Sequence, residues 1–126
     1  MPSIVIAEDD PSIRDLLRQL LVLDGFKVTA LSDGSSALDA VLAENPDLVV
    51  LDLMMPHMDG LSVLHALREN DATRSTPVVI VTAKIDDETT WKGWSGGCDY
   101  YLTKPFEPDD LISAVHRLLS PTGASA

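Results

Sequence analysis

The sequence predicts an α/β protein, an open and doubly wound sheet of five parallel strands with helices on both faces. Three observations predict it. Short β-branched and aliphatic runs alternate five times with longer segments whose apolar residues recur at helical spacing. The run at residues 48–51, Leu-Val-Val-Leu, is apolar throughout, as a central parallel strand covered on both faces requires. Finally, chemistry-bearing residues stand where the runs end: Glu8 and Asp9, Asp52, Thr82 and Lys104.

Strand β1 is read at residues 4–7, running straight into Glu8, Asp9 and Asp10. Helix α1, residues 11–23, is opened by Pro11 and Ser12, and Ile13, Leu16, Leu17, Leu20, Leu21 and Leu23 cover one broad face of it. Asp24 and Gly25 end it, glycine being suited to the left-handed backbone past a helix terminus. Strand β2 is expected at 26–31. Gly34-Ser35-Ser36 leads into helix α2, which turns Ala37, Leu38, Val41 and Leu42 inward and stops at Asn45-Pro46. Strand β3, residues 48–51, ends in Asp52. A loop rich in turn formers, residues 56–60, precedes helix α3, which carries Leu61, Val63, Leu64 and Leu67. Pro77 introduces strand β4 at 78–81, which ends in Thr82. Helix α4, about 86–95, is the weakest element, since Thr89, Thr90 and Gly93 are poor helix formers and Gly96 and Gly97 follow. Strand β5, residues 100–102, ends near Lys104-Pro105, and helix α5, about 108–119, sets Leu111, Ile112, Val115, Leu118 and Leu119 at helical spacing. Right-handed crossovers with helices divided between the faces make 2-1-3-4-5 the simplest strand order, a flavodoxin-like (βα)5 arrangement. The domain is placed at residues 1–119, with 120–126 a flexible tail or the start of a linker.

At 126 residues there is room for one domain that needs no covalent staple. Nine basic residues against twenty acidic ones, a formal charge of −11, argue against direct binding of nucleic acid or an anionic membrane. The single cysteine, Cys98, excludes an intrachain disulfide and a multi-cysteine metal site, and is read as a small buried side chain. No apolar run approaches the ~20 residues of a membrane helix, and the first residues lack the pattern of a signal peptide, so a cytoplasmic location is expected.

In open α/β sheets ligands bind outside the carboxyl ends of the strands, at the switch in strand order. Strands β1 and β3 are neighbours in the expected order, so the carboxylates of Glu8, Asp9 and Asp52 converge. Their repulsion has to be relieved by a cation or by protonation. Oxygen donors without Cys or His point to a hard cation, Mg²⁺ or Mn²⁺ before Zn²⁺. Lys104 and the hydroxyl of Thr82 on the same edge suit an incoming phosphoryl group. Taken singly, each residue has a plainer reading: Asp9 or Asp10 as a helix cap, Asp52 as a turn residue, Thr82 and Lys104 as ordinary strand ends. Their coincidence on one edge is what those readings leave unexplained.

Glu8-Asp9, the run Asp52-Leu53-Met54-Met55-Pro56-His57-Met58-Asp59-Gly60, Thr82-Ala83, and Tyr101-Leu102-Thr103-Lys104-Pro105-Phe106, in this order and spacing, resemble the receiver domain of bacterial two-component response regulators. The resemblance covers about residues 3–119. It implies a signalling phosphoacceptor, not an enzyme with an external substrate, that catalyses only its own phosphorylation and dephosphorylation. Asp52 would take a phosphoryl group from a phosphohistidine on a sensor kinase or phosphotransfer protein. Mg²⁺ would be held by Asp9, Asp52 and the backbone carbonyl of Met54, with Glu8 reaching it through water. Lys104, preceding a cis proline, would meet a phosphoryl oxygen. Thr82 would be the switch hydroxyl, and Tyr101 would turn into the space Thr82 vacates. Asp10 is a departure, ranked as a helix-start residue before a metal neighbour, and His57, His65 and His116 lack metal-ligand spacing.

Three rival classes remain in view. A haloacid-dehalogenase-type phosphatase also uses an aspartate after a parallel strand, but needs a second acid two residues on, where this chain has Met54. A flavodoxin-type binder shares the strand order but needs a Ser/Thr/Gly-rich phosphate loop after β1, where this chain carries acids. A purely structural module explains the fold and not the edge. For partners, Trp91 and Trp94 are expected on one side of α4, with Ile112 alongside, as a mainly apolar patch that docks a kinase, an effector or a second copy. A homodimer through the α4–β5–α5 face is a possible assembly; the effector is not named by the sequence.

Overall fold

The computed structural model describes residues 2–83 and 87–119. The elements run β1 (Ser3–Ala7), α1 (Pro11–Leu23), β2 (Lys27–Leu31), α2 (Gly34–Glu44), β3 (Leu48–Leu51), α3 (Gly60–Glu69), β4 (Val78–Thr82), α4 (Asp87–Ser95), β5 (Tyr100–Thr103) and α5 (Pro108–Leu119). All strand pairs are parallel and the order is β2-β1-β3-β4-β5, as the sequence predicts. Strand β2 starts one residue late because the Phe26 amide donates to Leu21 O at 3.1 Å, which keeps Phe26 in the turn out of α1. Asp86, the expected start of α4, and the tail at 120–126 lie outside the described residues.

Successive side chains of a strand point to opposite faces, so a strand covered on both sides must be apolar at every position. Strand β3 shows the consequence. Val49 and Leu51 join a core with Val5, Ala7, Val78 and Ile80 beneath Ala37 and Val41 of α2 and Val63, Leu64 and Leu67 of α3. Leu48 and Val50 join the opposite core with Ile4, Ile6, Val79, Val81 and Leu102, covered by Leu17 and Leu21 of α1 and Leu111 and Val115 of α5.

Helix ends are set by local chemistry. Asp10, Asp33 and Asp59 cap α1, α2 and α3, their carboxylates accepting from the amides of Ser12 (2.8 Å), Ser36 (2.7 Å) and Ser62 (2.8 Å). Each such cap is worth about 1 kcal/mol. Asp10 is therefore the helix-start residue the sequence suggests. Past α1 and α2, Gly25 (φ +97°) and Asn45 (φ 50°) take the left-handed conformation that turns the chain back to the sheet.

Candidate functional site

Each side chain at the carboxyl edge is aimed by a backbone bond that extends the sheet. The Glu8 amide donates to Leu31 O (3.0 Å), the Asp52 amide to Ala7 O (2.9 Å) and the Lys104 amide to Thr82 O (2.9 Å). These bonds bring the ends of β1, β3 and β4 together with the residue that follows β5. The Lys104–Pro105 peptide is cis.

Glu8, Asp52 and Lys104 meet. The Lys104 ammonium lies 2.7 Å from Glu8 Oε1 and 3.3 Å from Asp52 Oδ2, and both carboxylate side chains are under a tenth exposed. Asp52 Oδ1 accepts from the Met54 amide at 3.2 Å, and Glu8 Oε2 from the Asp10 amide at 3.1 Å. Glu8 Oε1, for all its closeness to Lys104, makes no hydrogen bond of good geometry. Burial pushes the Glu8 carboxyl up to about 7; the Lys104 pairing opposes this and the neighbouring Asp52 adds to it. Burial pulls the other way on Lys104, but its bonds and charges with Glu8 and Asp52 outweigh that and leave its pKa raised.

The sequence leads one to expect three converging carboxylates with Lys104 facing an incoming group. The structure places them differently. Among the described residues no three acidic, His or Cys side chains form a cluster ready to share an ion. Lys104 itself supplies the positive charge that offsets Glu8 and Asp52. Asp9 is exposed and opens onto a cleft of about 490 Å³ lined also by Leu53, Met54, Met55, Pro56 and Asp59. The donors at this edge fit a hard divalent cation in chemistry. They are oxygens only, and Glu8 Oε1 is a buried carboxylate atom without a directional partner.

Thr82 closes β4 and is fully buried, and Tyr101 is partly buried against the α2–α3 core. Trp91 and Trp94 are 69% and 47% exposed. Ile112 does not share their side of the sheet, since it packs partly buried into the α1–α5 core. Cys98 is buried, and that burial pushes its thiol up to about 11.

Sequence reasoning missed Arg14, whose Nη1 donates to the carbonyls of Glu8 (2.9 Å) and Asp9 (3.3 Å) and so pins the acidic loop from α1. Its signal was an arginine one turn into the helix that this loop opens. It also missed Gly34, where a methyl would fall 1.9 Å from Met58 O, so that α2 starts against the loop after Asp52.

A family model described as the response regulator receiver domain matches residues 4–116. The DNA-binding response regulator MtrA of Mycolicibacterium smegmatis is 41% identical over 116 residues, covering 92% of this chain and 50% of that protein. The DNA-binding dual master transcriptional regulator RpaA of Synechocystis sp. is 38% identical over 122 residues, 97% of this chain and 51% of its own. The chain thus spans about half the length of the curated relatives it matches. Among solved structures, the receiver domain of Francisella response regulator 1452 superposes with a TM-score of 0.89 at 37% identity, over 97% of this chain and 99% of that one. The receiver domain of sensor histidine kinase PA1611 from Pseudomonas aeruginosa, with a magnesium ion coordinated in its active site cleft, gives a TM-score of 0.87 at 25% identity, over 94% and 97%.

Proposed function

The chain belongs to the response regulator receiver domain family, and from that premise we propose that residues 1–119 form a switch whose phosphoacceptor is Asp52. The observation that carries the assignment is the placement of Asp52 at the end of β3, with Oδ1 on the Met54 amide and Oδ2 3.3 Å from Lys104. One carboxylate oxygen of Asp52 attacks the phosphorus of a phosphohistidine on a sensor kinase or phosphotransfer protein. A P–O bond forms, the P–N bond breaks, and the imidazole leaves with the electron pair. The product is an acyl phosphate on Asp52.

Asp9, Asp52 and the Met54 carbonyl would hold Mg²⁺, or Mn²⁺ in its place, with Glu8 reaching it through water; when bound, the ion supplies positive charge against the phosphoryl oxygens. Lys104 gives a second fixed positive charge on the other side of Asp52, at the cost of loosening its pairing with Glu8. Thr82, at the end of β4, is the hydroxyl that turns to the phosphoryl group, and Tyr101 follows it inward. The chain is proposed to catalyse its own phosphorylation and dephosphorylation and nothing further, in the cytoplasm.

The output passes to protein. With twenty acidic residues to nine basic, this chain is read as meeting a protein surface and leaving nucleic acid to other parts of a regulator. The exposed pair Trp91 and Trp94 is the surface proposed for it, and the α4–β5–α5 face is the contact proposed for a second copy in a homodimer.

The decisive experiment incubates the chain with acetyl phosphate and Mg²⁺ and follows intact mass. A gain of one phosphoryl group that hydroxylamine removes is expected of the wild type. Asp52→Asn should fold and take up none; an unchanged gain in that variant overturns the assignment.

A further inference from the structure

Gly93 is buried in the middle of α4, between the exposed Trp91 and Trp94. A methyl group built on it would stand 3.1 Å from Ile80 Cδ1 and 3.1 and 3.2 Å from Cε2 and Cδ2 of Tyr101. Those distances are shorter than carbon atoms favour. Ile80 and Tyr101 are register partners on β4 and β5, so both project to one face of the sheet, where both join the α2–α3 core. Helix α4 meets this pair with the one residue that has no side chain.

The neighbouring glycines have other reasons to be there. Gly97 takes φ +100°, and a methyl on Gly96, in the turn that ends α4, would meet the Lys92 carbonyl at 2.8 Å. Gly93 carries no positive φ, and only side chains crowd it. On helix propensity alone alanine is better at such a position. What the glycine provides is room for the ring.

We propose that Gly93 is the seat of the Tyr101 ring, a positioning residue that keeps α4 in contact with it and so couples any movement of Tyr101 to the face bearing Trp91 and Trp94. The coupling rests on the reading of Tyr101 as the switch residue; the seat itself does not. Ring and helix backbone touch with no side chain between them, so a ring that leaves the seat removes support from α4 directly.

Both tryptophans of the chain lie on α4, so tryptophan emission, excited selectively beyond the absorption of Tyr100 and Tyr101, reports on this helix. The first test is a thermal double-mutant cycle: Gly93→Ala in the wild type and in Tyr101→Phe, Tyr101→Ala and Ile80→Val backgrounds. The added methyl should lower the melting temperature where the ring is present, in the wild type and in Tyr101→Phe. It should be neutral or stabilising in Tyr101→Ala. An equal loss in Tyr101→Ala, or relief by Ile80→Val alone, overturns the proposal. If Gly93→Ala does not fold by itself, folding of Gly93→Ala/Tyr101→Ala supports the seat and its failure to fold overturns it.

The second test adds acetyl phosphate and Mg²⁺. Tryptophan emission should change in the wild type, and the change should be lost or diminished in Gly93→Ala at matched phosphoryl uptake. An unchanged amplitude overturns the coupling. Intact mass on the same samples separates the two readings: a wild type that gains no phosphoryl group overturns the functional assignment, and the thermal cycle then decides the seat.

Discussion

Gly60 is packed directly onto the residue that carries the site: a methyl on Gly60 would come within 2.2 Å of the Asp52 carbonyl oxygen and 2.7 Å of Leu53 Cα. The Gly60 amide also donates to Leu53 O at 3.0 Å, so the start of α3 is fastened to the segment leaving β3. Backbone meets backbone here, and neither partner is a flexible side chain that can step aside. Gly60→Ala should therefore cost about 1–3 kcal/mol by overpacking, and should also slow phosphoryl uptake because Asp52 moves with its carbonyl. Gly25→Ala is the control. Gly25 needs its φ of +97° but has nothing within 4 Å of a methyl, so alanine there should cost about 1 kcal/mol with uptake unchanged. Chemical denaturation and intact mass read the two effects separately.

A second expectation follows from Glu8. Its carboxyl is raised from 4.5 to about 7, with burial the largest cause. Between those values the folded state binds more protons than the unfolded chain, so this group's contribution falls as pH rises through the window and is least favourable above it. Lys104, also raised, loses its contribution only above the ordinary lysine range and does not act here. In EDTA, Glu8→Gln should melt several degrees above the wild type at a pH above 7, and the gap should shrink toward the lower end of the window. Carboxylates remote from Glu8 are common to both proteins and cancel in the comparison; Asp52, which interacts with Glu8, does not. A gap that is constant or grows on acidification contradicts the assignment.

Occupancy of the cation site gives a third. A ligand that binds only the folded chain stabilises it by RT ln(1 + [L]/Kd), roughly 1–3 kcal/mol at saturating Mg²⁺. Asp9 is exposed at the cleft and is not used by Lys104, so it is the carboxylate most available to an added ion. Scanning calorimetry in EDTA and in millimolar Mg²⁺ should show the increment in the wild type and lose most of it in Asp9→Asn. A melting temperature indifferent to Mg²⁺ rules out the ligand set.

What the sequence carried, and what it did not, divides by the range of the interactions. The run at Leu48–Leu51, the proline that opens Pro108–Leu119 and the aspartate that caps α1 are local signals, and each stands where its chemistry puts it. The edge itself was legible because strand order follows from crossover handedness, which brings the ends of β1 and β3 together whatever the side chains do. The pairing within the edge was not. Whether Lys104 faces an incoming group or closes on Glu8 depends on which positive charge is at hand, and that balance involves residues 96 positions apart. Ile112 failed to join the tryptophans for a related reason: periodicity says that a residue faces inward and is silent on which of two cores receives it. In the sequence Gly34 reads as a helix entry, Gly60 as a turn former and Gly93 as a weak point on a propensity scale. Their purpose, close approach by Met58, Asp52 and Tyr101, exists only in three dimensions.

The last expectation lies at the opposite edge of the sheet, in Arg68. Its guanidinium donates from Nε and Nη2 to Gly97 O (3.0 and 2.8 Å) and from Nη1 to the carbonyls of Thr73, Arg74 and Thr76 (3.3, 3.1 and 2.8 Å). Nη2 also reaches Asp99 Oδ2 at 3.2 Å. One side chain thus joins the end of α3, the loop before β4 and the turn that ends α4. Two contributions compete for the credit. The ion pair with Asp99 is partly exposed, 19% and 40% for the two side chains, and an exposed pair is worth under about 1 kcal/mol. The bonds to carbonyls are charge-assisted, and the carbonyls lose their partners if the guanidinium goes, a loss of about 2–3 kcal/mol. Arg68→Ala should therefore destabilise by about that amount, while Asp99→Asn, which keeps an oxygen for the Val78 amide, should cost less than about 1 kcal/mol. Lysine offers one point charge where the fork serves four carbonyls, so Arg68→Lys should lie near the alanine variant. Urea denaturation of the three variants decides it: Arg68→Lys at wild-type stability, or Asp99→Asn as damaging as Arg68→Ala, would mean that charge and not the fork holds this corner.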